Sequence, residues 1–301
     1  MSRNFSPQRV SPFTLPPSSY VDRDLKSPSS KRALNGTIVN RTNLPSPKLV
    51  GKPKSVKTQI IYGDGGRKKY PNELVVIFCD WDDTLFPTTY MTHYKYTEKT
   101  FKELPPDVQN ELRTLEDNVI RFIRELKEWG EFYILTNATA GWINKSCSMY
   151  FPRLYSNVLN TIPIISARDQ FKDHISSGGK LDAGTDRDDP KEWKYFSMRK
   201  MLDKIHVECD KNQKECFMVS IGDSMFEANA STEIKYQIGT SGFNHTLNDV
   251  FTIKFAEYPN ILGIRYQLQE IEKEFGHAIK ICSEHGQILT FYMDKNLIVD
   301  A

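Results

Sequence analysis

No apolar run in this chain of 301 residues approaches the roughly 18 residues that a membrane-spanning helix requires. The amino terminus, MSRNFSPQRV, lacks the apolar centre of a secretory signal. Cysteine is sparse and unpatterned: the five, at 79, 147, 209, 216 and 282, form no zinc-ligand pairs and are odd in number, which predicts reduced thiols in an intracellular protein. The six histidines are scattered, with no pair at helical ligand spacing, so a transition-metal site has no support. GDGGRKK, at 63–69, lacks the Gly-Lys-Ser/Thr ending and the long buried strand of a phosphate loop and reads as a hinge. The expectation is a soluble intracellular protein, cytoplasmic or nuclear, since Lys31-Arg32 and Arg67-Lys68-Lys69 are too short to choose between the two.

Charge is unevenly spread. Residues 1–70 carry 14 Lys plus Arg against 3 Asp, a net of +11, which leaves 26 basic and 35 acidic groups, or −9, for residues 71–301. The first stretch is rich in Ser, Pro, Thr and Asn, with few apolar residues at any regular period, so it cannot offset the entropy of ordering. It reads as a disordered basic tail, joined to a folded domain over 71–301. Ser-Pro pairs at Ser6, Ser11, Ser27 and Ser46 are of the kind that proline-directed kinases modify. The charge suits acidic partners, but without interleaved aromatics no specific nucleic-acid reading is expected.

What is present in the folded part is acid at strand ends. Leu74-Val75-Val76-Ile77-Phe78 reads as a strand buried on both faces, and it runs into Asp80, Asp82 and Asp83. A lone acid there would be read as a helix cap. Three within four positions repel one another unless a cation is bound among them. Asp80 and Asp82 are two apart, on the same side of an extended backbone, and Thr84 continues that side. A polar, aromatic flap over 92–109 and a helix over 107–130 follow. Phe132-Tyr133-Ile134-Leu135 is then a second strand that ends in Thr136-Asn137. The β, α, β succession predicts parallel strands, which brings Thr136 beside Asp80. A helix over 141–157, strand residues at 158–159 and 162–165, and a long polar loop over 166–190 come next. Asp189-Pro190 starts a helix that carries Lys191 and Lys194. Cys216 to Ile221 is a strand that ends in Gly222-Asp223-Ser224. Lys235–Ile238 and 253–255 read as peripheral strands, 261–276 as an amphipathic helix in a C-terminal extension from about residue 260, and 288–293 as strand-like.

Apolar strand, D-x-D-x-T, and the later stations resemble the motifs of the haloacid dehalogenase superfamily of phosphohydrolases over roughly residues 72–230. The resemblance implies an α/β fold, a Rossmann-like three-layer sandwich with a mostly parallel sheet. It implies a magnesium-dependent phosphatase with Asp80 as the nucleophile that forms an aspartyl-phosphate and Asp82 as the acid and base. The main chain of Trp81, between them, would face the phosphate. Thr136, Asn137 and Thr84 would serve the phosphate and its loop, and Lys194 would neutralise charge, with Lys191 as the alternative. Asp223 would hold magnesium with Asp80 and the main chain of Asp82. Glu227, where the family often has a second Asp, would assist or orient Asp223. Short gaps between stations leave little room for a cap domain, which implies a bulky phosphorylated substrate such as a phosphoprotein. Two alternatives stand beside this: a catalytically quiet scaffold or binding protein, and a phosphatase of small metabolites.

Overall fold

The computed structural model describes residues 62–63, 67–68, 73–181, 185–212, 214–240, 247–285 and 289–290. In chain order these form β1 (Tyr62–Gly63), β2 (Arg67–Lys68), β3 (Glu73–Cys79), α1 (Thr88–His93), α2 (Pro106–Trp129), β4 (Glu131–Thr136), α3 (Ala140–Tyr150), α4 (Pro152–Asn157), β5 (Ile164–Ser166), α5 (Ala167–Ser176), α6 (Pro190–Asn212), β6 (Glu215–Gly222), α7 (Met225–Gln237), β7 (Leu247–Lys254), α8 (Ile261–His285) and β8 (Leu289–Thr290). β1 and β2 pair antiparallel across the expected hinge. The rest of the stretch read as a tail lies outside the described residues.

Alternation along β3 sets the architecture. Val75, Ile77 and Cys79 pack into one apolar cluster with residues of α2, α3 and α8, whereas Val76 and Phe78 pack into a second with residues of α6 and α7. Both faces of the strand are therefore covered, as a parallel sheet requires. β4 and β6 flank β3 in parallel, β5 lies outside β4, and β7 lies outside β6, with the two residues of β8 at the far edge. This is a Rossmann-like α/β fold with an all-parallel sheet. Among the described residues no helix is long and apolar enough to cross a membrane.

Local chemistry accounts for the boundaries. Pro106 opens α2 with Asp107 in its first turn, where proline and acid are both favoured, and Leu112, Leu115, Val119, Phe122, Ile123 and Leu126 bury one stripe. The helix ends at Gly130, whose backbone is extended, and only glycine fits there because a Cβ would lie 2.0 Å from the carbonyl oxygen of Val75. The flap is α1 followed by short 3-10 turns at Tyr96–Glu98 and Phe101–Glu103. The buried Tyr150 hydroxyl, directed at the carbonyls of Tyr96 and Lys99 (2.9 and 2.7 Å), fastens it to α3.

Four sequence expectations are corrected. The polar loop over 166–190 contains α5: Ser166 caps it by accepting from the Asp169 amide, and Phe171 packs edge-on to Phe196 at 5.5 Å. With only Ala167 and Phe171 buried, the apolar period is too thin to read. Lys235-Tyr236-Gln237 closes α7 and is not a strand. The inward face of α7 is made of Glu227, Ala228, Ala230, Ser231 and Ile234, in which a single large apolar residue gives too weak a hydropathic signal, and Tyr236 is exposed. The helix over 141–157 breaks at Pro152, which has no N–H to continue α3; Glu116 instead accepts from the Arg153 and Leu154 amides that open α4. Finally, β7 is not peripheral but lies between β6 and β8. The strand expected at 288–293 is described only as β8.

Gly130→Ala is expected to destabilise the protein by about 1–3 kcal/mol, the range for overpacking, because the new methyl meets the backbone of β3. Gly141→Ala in α3, where the nearest atom is 3.9 Å away, should be neutral or stabilising by up to about 1 kcal/mol. Urea midpoints of the two variants check the contrast.

Candidate functional site

The parallel register brings three strand ends to one edge. Cys79 is level with Ile134 of β4 and Ile221 of β6, and the Asp80 amide continues the ladder by donating to the Ile221 carbonyl at 2.9 Å. Thr136 ends β4, and Asp223 follows Gly222 at the end of β6. This is the crevice at the carboxyl ends of the strands where open α/β sheets hold ligands.

Lys194 is the hub. It is fully buried on α6, and its ammonium donates to Asp80 Oδ1 at 2.8 Å and to the Leu135 carbonyl, and pairs with Glu227 Oε1 at 2.8 Å. Those three partners use all three of its N–H donors. Burial alone would lower its pKa, but Asp80 and Glu227 outweigh it and the net direction is upward, so the cation persists. Lys191, the alternative, pairs instead with Glu192 and Glu233. Glu227 also accepts from the Ser224 hydroxyl, in the third helical position after that N-cap residue. Gly222 makes room for it, since a Cβ there would be 2.6 Å from Glu227 Cγ.

The three acids after β3 have different surroundings. Burial pushes the Asp80 carboxyl up to about 7 against the pull of Lys194, with Glu227 and Asp82 adding to the rise. Asp82 accepts from the Thr88 hydroxyl (2.5 Å) and the Trp142 indole N–H (2.7 Å) on Oδ1, and from the Thr136 hydroxyl (3.2 Å) on Oδ2. Its partners thus come from α1, α3 and β4, while Asp80 turns to α6 on the other face of the sheet. Asp83 takes the capping role: it accepts from the amide and hydroxyl of Thr89 in α1, at 2.8 and 2.5 Å. Its backbone is left-handed, with φ 53°. Burial lifts its carboxyl to about 6, with Thr89 pulling it down and Asp82 pushing it up. The loop is closed by the Trp81 carbonyl, which accepts from the amides of Leu85 and Phe86 at 2.9 Å. The Trp81 ring stacks on Phe86.

Thr84 is fully buried, its hydroxyl 3.4 Å from Asp223 Oδ1. Asn137 follows Thr136 with a buried carboxamide oxygen that has no hydrogen-bond partner among the described residues. Burial pushes the Asp223 carboxyl well above the usual range, with Asp80, Glu227 and Asp83 adding and Lys254 opposing. Lys254, at the end of β7, donates to the Asp223 and Phe255 carbonyls.

Among the described residues no three His, Cys, Asp or Glu side chains form a metal-ligand group. Magnesium does not need one, because it keeps several waters and is held by one or two carboxylates. Asp80 and Asp223 repel each other. Lys194 shares its single charge between Asp80 Oδ1 and Glu227, and Lys254 donates to main-chain carbonyls and not to the Asp223 carboxyl, which leaves a deficit of positive charge that a hard divalent cation fits. A cavity of about 350 Å³ lined by His174, Phe196, Arg199 and Lys200 between α5 and α6 touches none of these acids; the site is therefore assigned by its chemistry and not by the size of a hollow.

The sequence-expected residues Asp80, Asp82, Thr84, Thr136, Asn137, Lys194, Asp223 and Glu227 thus all lie around one sheet edge. Thr88, Trp142, Ser224 and Lys254 join them without having been expected. Only Ser224 carried a readable signal, the Ser-x-x-Glu pattern of a helix start. The four cysteines with described side chains are buried and form no disulfide. The class that fold and site define is a Rossmann-like α/β protein with an acidic site at the carboxyl edge of its sheet. No family model, curated protein or solved structure matches the chain.

Lys194→Met leaves Asp80 and Glu227 buried without a countercharge, and is expected to cost roughly 3–5 kcal/mol in urea unfolding at pH 8. The deficit should shrink as the acids protonate at lower pH. Asp80→Asn tests the raised carboxyl. The native state of the unsubstituted protein holds a proton that the unfolded chain has released between about pH 4 and pH 7. Its stability relative to Asp80→Asn should therefore fall as pH rises through that window, measured with a chelator present; a difference independent of pH would contradict the raised value.

Proposed function

We propose that this protein is a phosphatase of the haloacid dehalogenase type that hydrolyses phosphomonoesters through an aspartyl-phosphate. The observation that carries the reading is the buried Lys194 held between Asp80 and Glu227, at the edge that also gathers Asp82, Thr136 and Asp223.

Asp80 attacks phosphorus and displaces the alcohol. Lys194 holds the Asp80 carboxylate oriented and offsets the charge that collects on the transferring group. Asp82 protonates the departing alcohol and then takes a proton from the water that releases phosphate. The Thr136 hydroxyl and the Asn137 side-chain amide would donate to the phosphoryl oxygens. Asp80 and Asp223 would hold magnesium, which when bound neutralises charge on the phosphoryl group.

The substrate we favour is a phosphorylated protein or another bulky phosphomonoester. Between Thr136 and Lys194 the described residues are taken up by α3, α4, β5 and α5, elements that pack on the sheet or on α6. Little chain is left there for an inserted cap, and a site without one is open to large substrates.

Phosphate release from para-nitrophenyl phosphate, with and without magnesium, tests the chemistry. Release should require magnesium and fall at least about 100-fold in Asp80→Asn, as loss of a covalent nucleophile does. A folded protein that binds magnesium and phosphate yet releases none from any ester would instead be a binding protein. Comparing phosphopeptides with a panel of sugar phosphates and nucleotides tests the substrate class; a higher kcat/KM for the small metabolites would overturn it.

A further inference from the structure

We propose that Trp142 and Thr88 are positioning residues that occupy Oδ1 of Asp82 and so reserve Oδ2 as the oxygen that carries the proton. This rests on the phosphatase reading above.

The argument is one of donors and lone pairs. Oδ1 receives two hydrogen bonds, from the Thr88 hydroxyl at 2.5 Å and the Trp142 indole at 2.7 Å, which use both of its in-plane acceptor directions. An indole N–H donates and cannot accept, so no proton on Oδ1 can point at Trp142, and one pointed at Thr88 would require that hydroxyl to turn round and give up its own donation. Oδ2 receives a single, longer bond, from the Thr136 hydroxyl at 3.2 Å. The Thr136 oxygen accepts from the Ala138 amide at 3.0 Å, which leaves its own hydrogen to turn either to Oδ2 or to a ligand. A proton on Oδ2 therefore releases the Thr136 hydrogen for a phosphoryl oxygen.

Both donors are fixed by the fold. Trp142 lies in the first turn of α3, where the Thr139 side chain caps its amide, and its ring packs edge-on to Phe86 at 6.2 Å. Phe86 belongs to the same loop as Asp82. Thr88 opens α1, directly after that loop. The two donors thus reach Asp82 from different helices and converge on one oxygen.

The steps balance. Asp82 Oδ2–H gives its proton to the ester oxygen as the bond from that oxygen to phosphorus breaks and the bond from Asp80 to phosphorus forms. In the second half a water loses a proton to the same Oδ2 as its oxygen bonds phosphorus and the Asp80–phosphorus bond breaks. Oδ1 keeps its two donors throughout, so the carboxyl does not rotate between the halves.

The test uses the full chain with magnesium and two esters: para-nitrophenyl phosphate, whose alcohol departs as a stable anion, and a simple alkyl phosphate, whose alcohol needs a proton. Trp142→Phe keeps the ring and removes the N–H; Thr88→Val removes the hydroxyl at nearly constant shape and stands in if the first variant does not fold. Each should lower kcat on the alkyl ester at least about 10-fold more than on the aryl ester, a part of the ~100-fold or greater effect of a general acid. KM should stay unchanged, and Asp82→Asn should give the same discrimination on a larger scale. Equal losses on both esters, a change in KM alone, or no loss would overturn the proposal while the phosphatase reading stands. Failure of the unsubstituted protein to hydrolyse either ester would overturn both.

Discussion

A buried ammonium with three acceptors is the constraint on which the rest of this molecule depends. Lys194 cannot sit at zero exposure without anionic or carbonyl partners, and those it finds belong to three separate elements: Asp80 after β3, Leu135 in β4 and Glu227 in α7. The cation therefore ties the central strand to its neighbour and to the helix beyond β6. It also explains Gly222, since Glu227 reaches the cation only by lying against the end of β6. Concentrated charge of this kind opposes folding unless it is matched, and replacing a buried ion pair by apolar groups is often neutral or stabilising. A cluster of this sort is therefore weak evidence for stability, and under the proposed function its use is chemical.

Around that cation, acids of one type acquire different properties from their surroundings. Asp80 is buried beside a cation and raised to about 7. Asp83, two residues on from Trp81, is committed to the first turn of a helix. Asp82, between the last two, is held by neutral donors only. Separation of surroundings among neighbouring carboxyls follows from environment and not from residue type, and here the eight residues between β3 and α1, turned by the Trp81 carbonyl, are enough to produce it.

The central strand, its two neighbours and the acids at their ends were legible because each carries a dense local signal: a buried apolar run that stops abruptly at charge. α5 and α7 were not legible. Their inward faces carry a single large apolar residue each, so tertiary packing holds them without leaving a period in the sequence. The Lys194 station could be narrowed to two residues with Lys194 preferred, since Lys191 and Lys194 are three apart and neighbours on α6, and which of them is buried against the sheet depends on how the helix packs. Trp142 was invisible for a related reason: an indole one turn into a helix reads as core, and its bond to Asp82 exists only because α3 and the β3 loop meet in space.

Tyr150 joins the segment after α1 to the core. Its hydroxyl reaches two carbonyls of the segment that follows α1, and its ring is buried in the same cluster as the loop bearing the acids. The rim beside the carboxyl edge is thereby built into the scaffold. Under the proposed function, a substrate meeting that segment would incur little cost for ordering it. Tyr90, Tyr94 and Tyr96 pack ring against ring in α1 and the segment after it, so whatever meets that segment meets a standing contour of packed aromatics.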